Sequence, residues 1–286
     1  MSFNQPEPKF DKVIIRLGGE IGIKAAWTRK LYERRLIANI KAVLKHSSLP
    51  YEALNRRFGR LYLRTSQAQN ATQELAKVFG ISSISPALET TSKLNDIIST
   101  SVQVIRVPLR KRSSFAVRCR RVGKHPYTSQ DVCREVGRRI LAAYPDLNLR
   151  VDLTCPEVTL GVEVREDKAF IFTDTIKGVG GLPLGTQPKL VCLLKSDVNS
   201  AVACWLTMKR GCQTVLLHFD NTSFVGRSSL DSVLTHAQAL SEWMIGFPRK
   251  LRVVSHGHNL AEIVEKCPKD LTNLLCKRLM FRITER

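Results

Sequence analysis

Residues 177–186 (KGVGGLPLGT) divide the chain into two parts that follow different sequence patterns. No other stretch is as rich in glycine and proline, which is typical of a connection between domains. Before it, short alternating strands and amphipathic helices predict an α+β organisation. After it, continuous apolar strands at 190–194 and 214–219 alternate with helices, and this alternation predicts a parallel sheet with helical crossovers.

The order of the predicted elements gives three domains within the 286 residues. Residues 1–72 contain a strand, a helix with Thr28 as its N-cap and a second strand, which predicts a small α+β domain. Residues 73–178 are predicted to form an α/β unit with helices at 73–79, 97–105 and 129–144, a strand at 115–119 and three further short strands. Residues 179–286 are predicted to form an incomplete doubly wound parallel sheet.

The charge of the chain predicts a polyanionic partner. Lys and Arg total 45 against 25 Asp and Glu, a formal net charge of +20. Such an excess attracts nucleic acid first and an anionic membrane surface second. The most apolar run, 190–206, is interrupted by Lys195, Asp197 and Asn199, so no membrane span is predicted. Without a secretory signal or a C-x-x-C pair among eight cysteines, we expect a cytoplasmic protein with no metal site.

The basic residues are concentrated between residues 106 and 139, where eleven Lys or Arg stand against two acids. In a strand at 115–119 the side chains alternate, so Arg118 and Arg120 share the face opposite the core, about 7 Å apart. This separation is close to that of neighbouring phosphates, which guanidinium groups bind well. Arg121 and Lys124 extend the basic surface into the following loop.

The loop is followed by residues 128–131 (TSQD), which resemble a capping box and predict a helix start beside the basic residues. Because strand, loop and helix start converge, we favour nucleic-acid contact over a merely solvated charged face. RNA is preferred because proteins read its single-stranded ends by clamping the backbone and stacking the bases. Tyr127 suits either such stacking or the core.

Five segments carry a family resemblance, and they occur in the family's order. They are 16–24 (RLGGEIGIK), 118–129 (RCRRVGKHPYTS), 177–186 (KGVGGLPLGT), 208–211 (MKRG) and 277–282 (KRLMFR). Together they resemble the tRNA sulfurtransferases that form 4-thiouridine, a family that also serves thiamine thiazole synthesis. The first is similar to the family's R-x-G-E-I-x-x-K with one extra glycine, and the second is similar to the signature part of the RNA-binding THUMP domain.

The resemblance implies an N-terminal ferredoxin-like domain and a THUMP domain that bind the tRNA acceptor stem and its 3′ end. It also implies a third domain of the PP-loop type, which uses ATP to adenylate the uracil before a persulfide sulfur replaces the oxygen. A sulfur-donor protein is then a second expected partner. The RNA contacts implied by position are Arg118, Arg120, Arg121 and Lys124, followed by Lys24 and Arg60.

The sequence departs from the family at the PP-loop, which should read Ser-Gly-Gly-x-Asp-Ser. The chain has KSDVNS at 195–200, so both glycines are absent and Asp197 puts a carboxylate where pyrophosphate would lie. The candidate nucleotide-binding residues, for ATP with Mg²⁺, are Lys195, Ser196, Asp197, Asn199 and Ser200. Two functions stay open: a tRNA-binding protein with an impaired adenylation site, or an active ATP-dependent tRNA sulfurtransferase.

The chain ends at Arg286, before the further strands that the resemblance implies. In the family, the sulfur-handling cysteine lies in the part of the domain that contains those further strands, so we assign no catalytic residue. An incomplete sheet exposes an edge strand, which favours pairing with a second copy. His256 and His258 follow a predicted strand, but without a third ligand we interpret them as part of a loop.

Overall fold

The computed structural model describes residues 9–57, 59–221 and 228–285. The chain folds as two compact units, and each draws on separate stretches of sequence. The first unit consists of Met1–Gly19, Leu44–Lys77 and Ile81–Val179, and the second of Glu20–Val43, Val78–Gly80 and Gly180–Arg286. The three-domain division at residues 72 and 178 stays a prediction from the sequence.

The first unit is built on one nine-stranded sheet. Its strands are β1 (Lys12–Leu17), β2 (Ala53–Arg57), β3 (Arg60–Arg64), β4 (Ile81–Thr91), β5 (Ser114–Val122), β6 (Arg150–Val151), β7 (Val158–Arg165), β8 (Lys168–Phe172) and β9 (Ile176–Lys177). Eight of them follow the order β2-β3-β1-β4-β8-β7-β5-β6, and β9 pairs with β4. The first helices of the chain are α1 (Gly19–Gly22), α2 (Ala26–His46), α3 (Ala68–Leu75), α4 (Leu94–Ile105) and α5 (Ser129–Ala143).

Strand β4 is shared by two parts of this sheet. Its first residues, 81–87, pair with β1, and its last residues, 88–91, pair with β8. We call β2-β3-β1 the N-terminal half-sheet and β8-β7-β5-β6 the central half-sheet. The two half-sheets meet at Tyr62 of β3 and Phe170 of β8, whose rings stack with centroids 4.6 Å apart. Ile14 and Ala87 complete this buried cluster, so the two half-sheets share a small hydrophobic core at this point.

The helix that follows β5 begins as the sequence predicts. Thr128 Oγ1 accepts a hydrogen bond from the Asp131 amide at 3.1 Å, and the Thr128 amide donates to the Asp131 carboxylate at 2.8 Å. This capping box satisfies two amides that the first turn of α5 would otherwise leave unpaired. Val132, Val136 and Ile140 form the buried stripe of the helix, which fixes α5 behind the strand.

The second unit contains a parallel three-stranded sheet flanked by helices. Its strands, β10 (Gln187–Leu193), β11 (Cys212–Asp220) and β12 (Leu251–Ser255), lie in that order. The helices beyond β10 are α6 (Val198–Lys209), α7 (Ser228–Ser241), α8 (Gly257–Lys266) and α9 (Thr272–Glu285). The glycine-rich segment 177–186 leads into this sheet. Gly181 in this segment has a φ of +76°, and a Cβ attached to it would lie only 2.2 Å from the backbone oxygen of Lys209. No side chain fits there.

Several sequence predictions of local structure need correction. Helix α2 begins at Ala26, so Thr28 lies inside it and is not its N-cap. The helix predicted at 73–79 is α3, which ends at Leu75. Strand β4 and helix α8 were not predicted, and α8 includes His258, so the assignment of that residue to a loop was wrong. None of the described helices has the length and apolar character to cross a membrane.

Candidate nucleic-acid interface

Strand β5 presents its two central arginines to solvent. Phe115 and Val117 are buried, whereas Arg118 and Arg120 are exposed, as the alternation of the strand predicts. In the register with β7, Arg120 lies opposite Glu163, so the two residues share one face of the central half-sheet. Arg118 donates one hydrogen bond to the backbone oxygen of Leu153. These two side chains form the open basic face of β5.

Arg121 and the following loop are arranged differently. Arg121 is half-buried, and its Nη1 lies 3.0 Å from the Gly123 oxygen and 3.4 Å from His125 Nδ1. His125 in turn has its Nε2 2.7 Å from the Glu166 oxygen, which ties the loop to the β7–β8 turn. Lys124 is exposed at the tip. Arg121 therefore supports the loop from the side opposite Arg120, and Lys124 is the freely accessible cation there.

Tyr127 belongs to the core. Its side chain is buried, its hydroxyl donates to the Ser92 oxygen, and its ring stacks on His125 with centroids 5.4 Å apart. Burial raises the pKa of Tyr127, as expected for a hydroxyl held in the interior. A base cannot stack on a ring that is already covered, so this residue contributes to the loop and not to the interface.

Arg60, at the start of β3, lies in a cluster that the sequence did not reveal. We call it the Glu163 cluster, because three arginine side chains surround that carboxylate. The ion pairs are Arg16 Nη2–Glu163 Oε1 at 2.7 Å, Arg165 Nη2–Glu163 Oε2 at 3.2 Å and Arg60 Nε–Glu163 Oε2 at 3.7 Å. The available signals were Arg16 within the 16–24 segment and the i, i+2 spacing of Glu163 and Arg165, which puts both on one strand face.

The charged groups of the Glu163 cluster shift the pKa values of Glu163 and Arg60. Burial raises the pKa of Glu163, but its arginine neighbours, above all Arg16, outweigh burial and bring the pKa below its usual range. Burial lowers the pKa of Arg60, and Arg120 is close enough to act in the same direction. The structure therefore brings Arg60, Arg118 and Arg120 together on one side of the first unit. Lys24, exposed between α1 and α2, belongs to the second unit.

The loop 195–200 after β10 has the form of a helix cap. Asp197 is the N-cap of α6, and its Oδ1 accepts a hydrogen bond from the Ser200 amide at 2.8 Å. Ser200 Oγ accepts from the Lys195 amide at 3.0 Å and donates to the Asp197 oxygen at 2.8 Å. Lys195 Nζ lies 3.5 Å from Asp197 Oδ2. Ser196 and Asn199 belong to the same exposed loop and first turn.

The Asp197 carboxylate is stabilised in its ionised form. The Ser200 amide is the main cause that lowers the pKa of Asp197, and Lys195 adds to it. A helix N-terminus favours an anion because its first amides are unpaired. Here the anion is supplied by the chain itself. A second anion at the same amides would meet the negative charge of Asp197.

One buried histidine at the end of β12 has a polar partner that the sequence did not indicate. His256 is fully buried, and its Nε2 lies 3.3 Å from Cys276 Sγ on α9. Burial lowers the pKa of His256 and raises that of Cys276, so both groups are neutral near pH 7. Within the described residues, no group of three or more His, Cys, Asp or Glu is arranged to hold a metal ion.

Comparison with known proteins gives the chain its family. The sequence model of the ThiI ferredoxin-like domain matches residues 12–85, that of the THUMP domain matches 92–174, and that of thiamine biosynthesis protein (ThiI) matches 185–286. A probable tRNA sulfurtransferase from Methanobrevibacter smithii is 37% identical over 97% of this chain and 71% of its own length. This chain belongs to the tRNA sulfurtransferase family.

Other tRNA sulfurtransferase relatives agree with this assignment. One from Methanosarcina acetivorans is 36% identical over 94% of this chain and 66% of its own length. The crystal structure of a 4-thiouridine synthetase–RNA complex with bound ATP superposes with a TM-score of 0.82 at 28% identity. That match covers 96% of this chain and 70% of the synthetase chain. The predicted fold is confirmed: ferredoxin-like and THUMP domains, followed by an α/β domain of the PP-loop type.

Proposed function

We propose that this chain binds tRNA at the acceptor stem and 3′ end, and that its own PP-loop does not support adenylation. The open basic face of β5 carries the first part of this proposal. Arg118 and Arg120 are exposed on a THUMP strand, and Arg60 lies on the same side of the unit. Lys124 extends this surface at the loop tip, with Arg121 supporting the loop from behind. Lys24 is a further candidate contact on the second unit.

The loop 195–200 supports the second part. A phosphate-binding turn needs free backbone amides and small residues, whereas the Ser200 amide here is bonded to Asp197. The residues present therefore do not fit the pyrophosphate of ATP, and we derive no step through that nucleotide. Lys195, the cation that could attract a phosphate, is paired with Asp197 at 3.5 Å.

The alternative is an active ATP-dependent tRNA sulfurtransferase that forms 4-thiouridine and serves thiamine thiazole synthesis. It is favoured by the identity to relatives named probable tRNA sulfurtransferases, 37% for the Methanobrevibacter smithii protein. A sulfur-donor protein and pairing with a second copy stay predictions that accompany either function. Formation of 4-thiouridine in tRNA from ATP and a persulfide donor would contradict the impaired loop and support the alternative.

RNA binding is tested with an acceptor-stem duplex that carries or lacks its single-stranded 3′ end, titrated across a salt series. Several phosphate contacts predict an affinity that falls steeply with salt, with a slope of about −0.7 to −0.9 per contact. Recognition of the acceptor end predicts that loss of the 3′ end weakens binding by roughly tenfold or more. Equal and weak binding of both RNAs would exclude the proposed recognition.

The adenylation site is tested by rebuilding the family loop. The four changes are Lys195→Ser, Ser196→Gly, Asp197→Gly and Asn199→Asp. We expect the original chain to show no saturable ATP binding by calorimetry, and the rebuilt loop to gain it, because the Ser200 amide no longer binds a carboxylate. The matched control is Asp197→Asn alone, which removes the charge but keeps the cap. Saturable ATP binding by the original chain would contradict the impaired site.

A further inference from the structure

The Glu163 cluster holds more positive charge than its acid neutralises. The side chains of Arg16, Arg60 and Arg165 are 13%, 16% and 5% exposed, so all three are largely removed from water. Their ion pairs in the described part of the chain all go to Glu163, which is itself 6% exposed. Three guanidinium groups against one carboxylate leave a surplus of two positive charges in a desolvated place, which is unfavourable without a further anion.

The cluster also contains donors without acceptors. Arg60 Nε, Arg165 Nε and the Tyr62 hydroxyl are buried and have no hydrogen-bond partner among the residues that the structure describes. Burial raises the pKa of Tyr62, so this hydroxyl stays protonated. Buried polar groups normally find partners, because an unpaired one loses its hydration without compensation. Arg60 Nε faces Glu163 Oε2 at 3.7 Å, which is too long for a hydrogen bond. The Arg60 end of the cluster therefore has donors that no described residue of the chain satisfies.

The open basic face of β5 lies beside this end of the cluster. Arg120 is exposed, lies opposite Glu163 in the register of β5 and β7, and is close enough to lower the pKa of Arg60. Arg118 lies two residues away on the same face. By contrast Arg16 is held from the inner side, because its Nη1 donates to Ser85 Oγ at 2.9 Å.

We propose that Arg60, Arg165 and Arg120 form a binding site for a phosphate group, at the junction of the N-terminal and central half-sheets. Forked guanidinium groups suit phosphate oxygens, and a dianionic or diester phosphate offsets the surplus charge of the cluster. The phosphate is either a backbone phosphodiester of RNA or a free phosphate, since both have the same recognising chemistry. Because Arg60 and Arg120 are also proposed RNA contacts, the phosphodiester form of this site rests on the proposed tRNA function, whereas the binding of free phosphate does not.

Inorganic phosphate is the first probe. Thermal unfolding of the full chain is followed in phosphate and in chloride at matched ionic strength and pH. We expect phosphate to raise the melting temperature by roughly 3 °C at tens of millimolar, because a ligand that binds only the folded state stabilises it by mass action. If the melting temperature is the same in phosphate and in chloride, the proposal is overturned before any variant is made. The cluster is then a purely structural contact between the half-sheets.

The matched variants are Arg60→Gln and Arg64→Gln, which make the same change four residues apart on β3. Arg64 is 54% exposed and paired with Glu52 at 3.0 Å, away from the Glu163 cluster. We expect Arg60→Gln to abolish the phosphate-dependent shift and Arg64→Gln to retain it. If Arg60→Gln does not fold, Arg60→Lys serves instead, and we expect it to reduce the shift because it keeps the charge but loses the fork. An unchanged shift in the folded Arg60 variant overturns the site.

The source of the phosphate is decided by RNA competition. If the site takes an RNA phosphodiester, Arg60→Gln lowers affinity for the acceptor-stem RNA about tenfold and reduces the salt slope by about one contact. Inorganic phosphate then competes with RNA for the original chain but no longer for the variant. If RNA affinity is unchanged by Arg60→Gln while the phosphate shift is lost, the site binds free phosphate. A chain that shows the shift but binds no RNA retains the site and loses the tRNA function.

Discussion

The open basic face of β5 and the loop 195–200 are both places where the sequence predicts contact with a phosphate, and their charged groups are engaged very differently. Arg118 and Arg120 are exposed, and the nearest carboxylate in register, Glu163, is already shared by three other arginines. In the loop, the helix amide is bonded to Asp197, and the one lysine is paired with the same carboxylate.

The two places differ in which positively charged groups and amides are available to bind a phosphate. A basic strand attracts RNA when its cations exceed the local acids, and a helix N-terminus attracts a nucleotide when its amides are free. The central half-sheet meets the first condition, whereas α6 does not meet the second because Asp197 acts as an internal anion. The three predictions below remove a carboxylate or a pair of arginines to test this contrast.

The largest effect is expected from Glu163→Gln. This change leaves the buried Arg165 and the half-buried Arg16 and Arg60 without their shared acid, and we expect it to lower the free energy of unfolding by about 3 kcal/mol. Chemical denaturation of the full chain measures it. The control is Glu135→Gln. Glu135 Oε2 lies 2.7 Å from Arg138 Nη2, and the Arg138 side chain is 77% exposed, so the loss of this ion pair should cost less than about 1 kcal/mol. Equal effects of the two substitutions would show that the cluster is not desolvated.

The same cluster predicts a dependence of stability on pH. The pKa of Glu163 is lower in the folded state than in the unfolded chain. Its contribution to stability is therefore fully present above the unfolded pKa of about 4.3, and is lost as the pH falls through the folded pKa. Glu163→Gln should flatten this part of the stability profile.

The next effect is the loss of RNA affinity in the double variant Arg118→Gln with Arg120→Gln. Removal of two phosphate contacts should lower affinity for the acceptor-stem RNA by about 30-fold at 0.1 M salt and reduce the salt slope by roughly 1.5. The matched control is Arg134→Gln with Arg138→Gln on α5, which removes the same charge from side chains that are 72% and 77% exposed. A similar loss in both double variants would mean that only net charge matters.

Local patterns predicted much of the fold and of the interface. The exposed alternation of Arg118 and Arg120, the capping box at Thr128 and the parallel strands beyond residue 186 all follow from residues close together in sequence. Strand β4 was missed because Pro86 and three serines interrupt the apolar pattern expected of a strand. Residues close together in sequence were sufficient to predict the structure wherever strand alternation or a helix cap determines it.

The Glu163 cluster could not be predicted in this way. It joins Arg16 to Glu163, which are separated by 147 positions in the sequence, and it depends on how the two half-sheets meet. The hydrogen bonding within the loop 195–200 was only partly predictable from the sequence. The sequence placed a carboxylate at Asp197, but it did not indicate that this carboxylate accepts the Ser200 amide and caps α6.

The smallest effect is expected from Asp197→Ala. The change removes the N-cap of α6 and should lower the free energy of unfolding by about 1 kcal/mol. The comparison variant is Asp197→Asn, which keeps an accepting oxygen for the Ser200 amide and should cost only a fraction of this. Because the pKa of Asp197 is lowered in the folded state, its contribution is present above the unfolded pKa of about 3.9 and is lost in stronger acid. Asp197→Asn should remove that acid dependence. If Asp197→Ala instead leaves stability and its acid dependence unchanged, the carboxylate is not bound to the helix. The amides of α6 would then be as available to an anion as the arginines of β5.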